Sequence, residues 1–104
     1  MKFVVVLTTV GADFDAKPLA RALVELRLAA CVNIIDRVQS IYRWEGTVTE
    51  DGEQLLLIKT ADDRIAPLRE ELLRHHPYSV PEFVVLPIAE TSASYGAWLL
   101  ESVS

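Results

Sequence analysis

Apolar positions along this chain fall into two patterns, one typical of strands and one of helices. Residues 3–7 (FVVVL) form a continuous β-branched and aromatic run, which indicates a strand that is covered on both faces or central in a sheet. Residues 83–88 (FVVLPI) predict a last strand. Its Pro87 restricts that strand to a sheet edge or a bulge, because proline cannot donate a ladder hydrogen bond.

Two longer segments and one short one carry apolar residues at helical spacing. Asp13 or Asp15 offers an N-cap for the first helix, which has Pro18 in its first turn and runs to about Arg27.

The second helix is predicted to start at a cap formed by Asp63. It ends near His75, since the residue before Pro77 is pushed out of the helical region. A short closing helix covers residues 94–102.

The middle of the chain has strand-type side chains on both sides of a turn signal. Residues 30–48 are predicted to be extended, with a bend or bulge at Asp36 and Arg37. Asp51 and Gly52 suit a type I′ hairpin turn, and residues 54–60 then return as the third strand.

The predicted order is strand, helix, strand, strand, helix, strand and a terminal helix. This is an α+β fold of the ferredoxin-like, split βαβ kind, in which both long helices pack on one face of a four-stranded antiparallel sheet. A length of 104 residues without a linker predicts one domain over residues 1–104.

A hairpin turn at Asp51 and Gly52 predicts self-association. It places Trp44 opposite Lys59 and leaves residues 31–41 beyond the reach of the third strand, at a sheet edge. A long apolar edge without lysine or proline invites pairing with another chain, and a closed ring of identical chains avoids fibres. The alternative is that the bulge at Asp36 folds the excess back on its own sheet.

Charge and cysteine content narrow the function further. The formal net charge is −5 and the ten basic residues are scattered, which argues against nucleic acid and against an anionic membrane surface as partners. Cys31 is the one cysteine, so no intrachain disulfide forms and a reducing, cytoplasmic location is expected. No apolar run approaches the length of a membrane span.

Several separated segments resemble the CutA divalent-cation-tolerance family over nearly the whole chain. They are LRLAACVNI (residues 26–34), SIYRWEG (residues 40–46), Lys59 with Thr60, HHPYSVPE (residues 75–82) and the spaced Tyr95 and Trp98. The resemblance implies a homotrimer assembled through the second and third strands, related in architecture to the PII signalling proteins. It also implies a role in tolerance of divalent cations and in copper binding.

His75 and His76 are the only imidazoles, so a nitrogen-ligated copper or zinc site must use them. Adjacent residues diverge on a helix or strand, which makes a site shared between subunits easier to build. The alternative is a structural role at a helix end, where histidine is favoured electrostatically. Some members of the family carry a cysteine ligand at the end of the first strand, where this chain has Thr8.

Six residues are candidates for a cleft between subunits: Cys31, Trp44, Lys59, Tyr78, Glu82 and Trp98. Each has a plainer interpretation. A lone cysteine is usually a small core residue, Lys and Glu are usually solvated or weakly paired, and large aromatics are usually core or interface anchors.

The chain shows no nucleophile with a base, no phosphate loop and no dinucleotide fingerprint, so a protein that is not an enzyme is expected. The sequence therefore predicts a homotrimeric protein that binds copper or another divalent cation. The competing prediction is a PII-like signalling module that binds a small anionic molecule or a protein partner in clefts between subunits.

Overall fold

The computed structural model describes residues 2–104, and its elements follow the predicted order. The strands are β1 (Phe3–Gly11), β2 (Cys31–Trp44), β3 (Thr47–Ala61) and β4 (Val84–Pro87). The helices are α1 (Lys17–Glu25), α2 (Ile65–His75) and α3 (Ala93–Ser102), and a 3₁₀ turn (Asp62–Arg64) precedes α2. All strand pairs are antiparallel, in the order β2-β3-β1-β4. The α+β ferredoxin-like prediction is confirmed.

Strand β1 is central, as its apolar run predicts, and β4 is an edge strand that can accommodate Pro87. Burial alternates along β1, because successive side chains point to opposite faces. One face packs against α1 and α2 and forms the main core, whose buried members include Val6, Leu23, Leu56, Ile58, Leu68 and Leu72. Full burial of one such side chain stabilises the fold by roughly 1.5–3 kcal/mol.

Both predicted N-caps of the long helices are wrong. Helix α1 begins after Ala16 without a side-chain cap, although Asp15 accepts a long 3.4 Å hydrogen bond from the Lys17 amide. Asp63 lies inside the 3₁₀ turn, and Arg64 precedes α2 without capping it through its side chain. The 3₁₀ turn takes up the residues that an isolated helix would use for capping.

The predicted hairpin turn at Asp51 and Gly52 is also wrong. The chain reverses at Glu45 and Gly46, whose φ values of 50° and 81° are the two positive values that a type I′ turn requires. Gly52 lies inside β3, opposite Gln39. A turn at Glu45 lets β2 pair with β3 along its whole length, which satisfies more backbone groups than the stronger Asp-Gly signal would.

Residues 31–41 therefore have a partner strand in their own chain. The predicted register, which left them beyond the reach of the third strand, is wrong. Cys31 pairs with Lys59 and Ile41 pairs with Glu50. The predicted bulge is confirmed, because the register shifts between Ile35 and Val38, and Arg37 has a φ of 62°.

The distal half of the hairpin, residues 38–52, is named the ribbon. Strand β1 ends at Gly11 opposite Glu53, so the ribbon extends beyond the rest of the sheet as two strands with two free edges. The molecule is accordingly elongated, with a longest axis of 45 Å. Large apolar side chains of the ribbon are exposed, Ile41 by 66% and Val48 by 60%. A two-stranded hairpin on its own is marginally stable in water, so the ribbon depends on its continuity with the four-stranded part of the sheet.

The sheet face opposite α1 and α2 is covered only at one end, where α3 packs against Phe3 and Ala61. The rest of that face is apolar and is named the open sheet face: Val5, Leu7, Leu55, Leu57, Val84 and Leu86. Leu86 is 45% exposed. Within residues 2–104, none of the helices has the length and hydropathy needed to cross a bilayer.

Candidate functional site

A groove of about 780 Å³ separates the ribbon from the loop of residues 77–82. Its chemistry comes from three carboxylates, Asp51, Glu53 and Glu82, and three aromatic residues, Tyr42, Trp44 and Tyr78. Trp44, Tyr78 and Glu82 are thus three of the six cleft residues predicted from the sequence. In the described part of the chain, no lysine, arginine or histidine lines this groove.

Two tyrosine–carboxylate pairs organise the groove. The Tyr78 hydroxyl donates a 2.6 Å hydrogen bond to Oε2 of Glu53, a side chain that is only 6% exposed. The Tyr42 hydroxyl donates to Oδ2 of Asp51 on the ribbon. Asp51 and Glu53 lie two residues apart on β3, so strand alternation aims both carboxylates at the same side.

The pKa values of both tyrosine hydroxyls are raised, in part by the carboxylates that they contact. Burial raises the pKa of Tyr78 far above its ordinary value, and the hydrogen bond to Glu53 raises it further. The bond to Asp51 is the main cause of a raised pKa at Tyr42. Both hydroxyls therefore keep their protons and donate, and the groove carries a negative potential.

His76 is fixed on the inner side of the same loop. Its Nδ1 accepts a 3.1 Å hydrogen bond from the Tyr78 amide, so that nitrogen carries no proton. Its Nε2 donates to the Thr9 carbonyl at 3.0 Å and lies 3.2 Å from the Thr8 hydroxyl. Burial lowers the pKa of His76, which agrees with a neutral ring.

His75 has different surroundings. It is the last residue of α2, as the following proline predicts, and its side chain is 52% exposed. Its Nε2 lies 3.0 Å from Oε2 of Glu71, one helical turn earlier, and Arg74 also pairs with that carboxylate. The two imidazoles thus have separate partners and do not converge on one point within a chain.

Within the described residues, no group of three or more His, Cys, Asp or Glu side chains is arranged to hold a metal ion. Thr8 contributes a hydroxyl beside His76 instead of a thiolate. Cys31 does not replace it. The register puts Cys31 two strands across and three positions along from Thr8, about 14 Å away by sheet geometry.

The other three predicted cleft residues lie together at the opposite end of the sheet. Cys31 is half-buried and pairs with Lys59 across β2 and β3. The Lys59 ammonium is 5.8 Å from the centre of the Tyr95 ring, which lies 5.3 Å from the ring of Trp98. Lys59 and Glu82 form no ion pair among residues 2–104. One chain therefore carries the six candidates as two separate groups.

Sequence reasoning missed Asp51 and Glu53 as site residues. The sequence predicts a turn at Asp51, because Asp-Gly is a strong hairpin signal. Glu45 and Gly46 are also an acidic residue followed by glycine, and this pair is the signal for the observed turn. A turn there keeps Asp51 and Glu53 in a strand.

Comparison with known proteins gives one consistent family. The family model described as CutA1 divalent ion tolerance protein matches residues 4–102. The divalent-cation tolerance protein CutA of Thermus thermophilus is 53% identical over 98 residues, which cover 94% of this chain and 95% of that protein. The crystal structure of CutA1 from Oryza sativa superposes with a TM-score of 0.94 at 39% identity, covering 100% of this chain and 95% of that one.

Some relatives are longer. The chloroplastic CutA protein of Arabidopsis thaliana is 44% identical over 99 residues, which are 95% of this chain but 54% of that protein. The chain thus spans nearly all of the bacterial relative and about half of the plant one.

Proposed function

Since the chain belongs to the CutA1 divalent ion tolerance family, we propose that it binds divalent cations, copper in particular, as a non-catalytic cytoplasmic homotrimer. The observation that carries the assembly is the ribbon, which exposes apolar side chains and unpaired backbone on two strands. The cation binding is supported by the name of the family. The single cysteine supports a reducing location. The names of the relatives do not support the cytoplasm in particular, because the Arabidopsis relative is named as chloroplastic.

Two surfaces support association of identical chains. The ribbon offers free strand edges, and the open sheet face offers a contiguous apolar area whose Val84 and Leu86 are 43% and 45% exposed. Apolar surfaces of this kind mark interaction sites in soluble proteins. A closed threefold ring covers both surfaces in every copy and leaves no edge for further growth.

Sedimentation tests the assembly. The wild-type chain of 11.6 kDa is expected to sediment at three times that mass at micromolar concentration. Ile41→Asp, on the ribbon, is expected to lower the association state, whereas the matched control Leu73→Asp changes an exposed leucine of α2 and leaves it intact. A wild-type chain that sediments as a folded monomer contradicts the proposal.

For the cation, the two histidines fit unequally. His75 is exposed and lies beside Glu71, so these two side chains supply one nitrogen and one oxygen ligand on one helix face. His76 has both ring nitrogens in hydrogen bonds and ligates only after losing one of them. Because one chain offers fewer than three ligands, the remaining ligands come from a second copy or from water. The bound ion would be sequestered at this position, with no reaction to promote.

Calorimetric titration with Cu²⁺ tests this assignment. His75→Ala is expected to weaken binding more than His76→Ala, and the double variant more than either. Glu70→Gln is the matched control, since Glu70 pairs with Arg74 but does not touch His75. Equal copper binding by the wild type and the double variant would exclude both histidines.

The PII-like alternative has one supporting feature, the Lys59 ammonium beside the ring of Tyr95, which in turn contacts the ring of Trp98. An anionic ligand would contact that lysine, not the acidic groove. Native mass spectrometry of the purified protein detects such a ligand if it is retained, and loss of the signal in Lys59→Met would favour this alternative.

A further inference from the structure

The atoms around the two histidine rings are nitrogen and oxygen atoms. Nε2 of His75 lies 3.0 Å from Oε2 of Glu71, so an imidazole and a carboxylate share one helix face. Nε2 of His76 lies 3.0 Å from the Thr9 carbonyl and 3.2 Å from the Thr8 hydroxyl. A cation held by either ring therefore meets nitrogen and oxygen donors within the chain.

The single thiol of the chain lies away from both rings. The strand register puts Cys31 about 14 Å from Thr8. Thr8 belongs to the buried face of β1, whereas Cys31 pairs with Lys59 and faces the open side of the sheet. The Cys31 thiol donates a long 3.7 Å hydrogen bond to Oδ1 of Asn33. It is therefore not positioned to bind a cation together with an imidazole of the same chain.

The softness of the donors decides which copper ion they hold. Imidazole and carboxylate suit Cu²⁺ and Zn²⁺, whereas thiolate and thioether ligands select Cu⁺. Ligands also have to be deprotonated, which a thiol achieves far more readily than a hydroxyl. Thr8 is 0% exposed, and its hydroxyl lies beside the His76 ring. A neutral hydroxyl thus stands where a thiolate would give that ring a soft neighbour.

We propose that this chain selects divalent copper over monovalent copper, because its histidines have nitrogen and oxygen neighbours and Thr8 gives His76 no soft ligand. The cations it holds are then divalent ions of intermediate softness, Cu²⁺ and Zn²⁺, and reduction of bound copper releases it. The inference rests on the proposed cation binding and specifies the class of ion.

Reduction of the copper-loaded wild type tests the selectivity. The full chain is loaded with Cu²⁺, reduced with ascorbate without oxygen and desalted, and the copper that elutes with the protein is measured. Loss of the copper is expected, whereas a chain loaded with Zn²⁺ keeps its metal through the same treatment. Copper that stays with the protein after reduction overturns the proposal. Failure of Cu²⁺ to bind at the outset contradicts the proposed function instead.

A gain of Cu⁺ binding tests the role of Thr8 and does not require the wild type to bind Cu²⁺. In an anaerobic Cu⁺ titration, Thr8→Cys is expected to take up about one Cu⁺ per chain, and adding His76→Ala should abolish that gain. Thr60→Cys is the matched control, since Thr60 is also 0% exposed but its hydroxyl donates to the Leu28 carbonyl.

Two results of this titration overturn the proposal. One is equal Cu⁺ uptake by the wild type and Thr8→Cys, and the other is an equal gain in Thr8→Cys and Thr60→Cys. Circular dichroism checks that each variant is folded. Should Thr8→Cys fold poorly, the reduction experiment on the wild type decides by itself.

Discussion

The hydrogen bond from Tyr78 to Glu53 ties the loop of residues 77–82 to β3, and Tyr78→Phe removes it while keeping the ring. The distance is 2.6 Å, and the acceptor side chain is 6% exposed. The substitution leaves a buried carboxylate without its donor, which is the more costly way to lose a hydrogen bond.

Hydrogen bonds to charged groups contribute about 1.5–3 kcal/mol to stability. Tyr78 itself is 36% exposed, so water can partly replace its hydroxyl, and the lower end of that range applies. We therefore expect Tyr78→Phe to lower the free energy of unfolding by about 1.5 kcal/mol. For a chain of this length, that corresponds to a fall in Tm of about 6–12 °C.

The pKa of Tyr78 gives the same bond a pH signature. Burial and the bond to Glu53 raise this pKa above the ordinary value of 10.0, so the folded state holds the proton more tightly than the unfolded state. The associated stability is fully present below pH 10 and is lost as the pH rises towards the folded pKa. The wild type should therefore lose stability above pH 10 more steeply than Tyr78→Phe.

Urea unfolding at pH 8 and at pH 11, at one fixed protein concentration, measures both effects. The fixed concentration matters because association adds to apparent stability. Tyr42→Phe is the control at pH 8, since its hydroxyl binds the exposed Asp51, so its loss should lower the free energy of unfolding less than Tyr78→Phe does. Unchanged stability in Tyr78→Phe at pH 8, together with an unchanged alkaline slope, refutes the reasoning.

Three further outcomes are expected. Burial lowers the pKa of His76 below the ordinary value of 6.5, so its contribution to the free energy of unfolding is present above pH 6.5 and is lost as the pH falls. His76→Gln should therefore reduce the loss of stability at acid pH, measured by urea unfolding at a series of pH values. Leu72→Ala, which empties a fully buried position, should cost about 2–5 kcal/mol in urea unfolding. Gly96→Ala places a Cβ 2.6 Å from the Thr91 hydroxyl, so it should lower Tm, and adding Thr91→Ala should restore most of the loss; an unrelieved double variant would contradict that cause.

The element order was predictable because it depends on local patterns that tertiary contacts reinforce. The run at residues 3–7 is a central strand, and Pro87 lies on an edge strand. Helix α2 ends at His75, because the geometry before Pro77 is fixed by the chain itself. The bulge at Asp36 and Arg37 was likewise predictable from the residues at that position alone.

The groove was not predictable, because it depends on the hairpin register. The turn could form at Glu45 and Gly46 or at Asp51 and Gly52. It forms at Glu45 and Gly46, because more backbone groups of β2 and β3 then find hydrogen-bond partners. With the turn at Gly46, Asp51 and Glu53 become strand residues that face a loop more than twenty positions away.

The amino-acid sequence by itself determined the strands, the helices, their order and the family to which the chain belongs. Only the tertiary structure decided which carboxylates meet which aromatic rings. The physical reason is that hydrophobic periodicity is read within a few residues, whereas the partner of Glu53 is set by packing of distant segments.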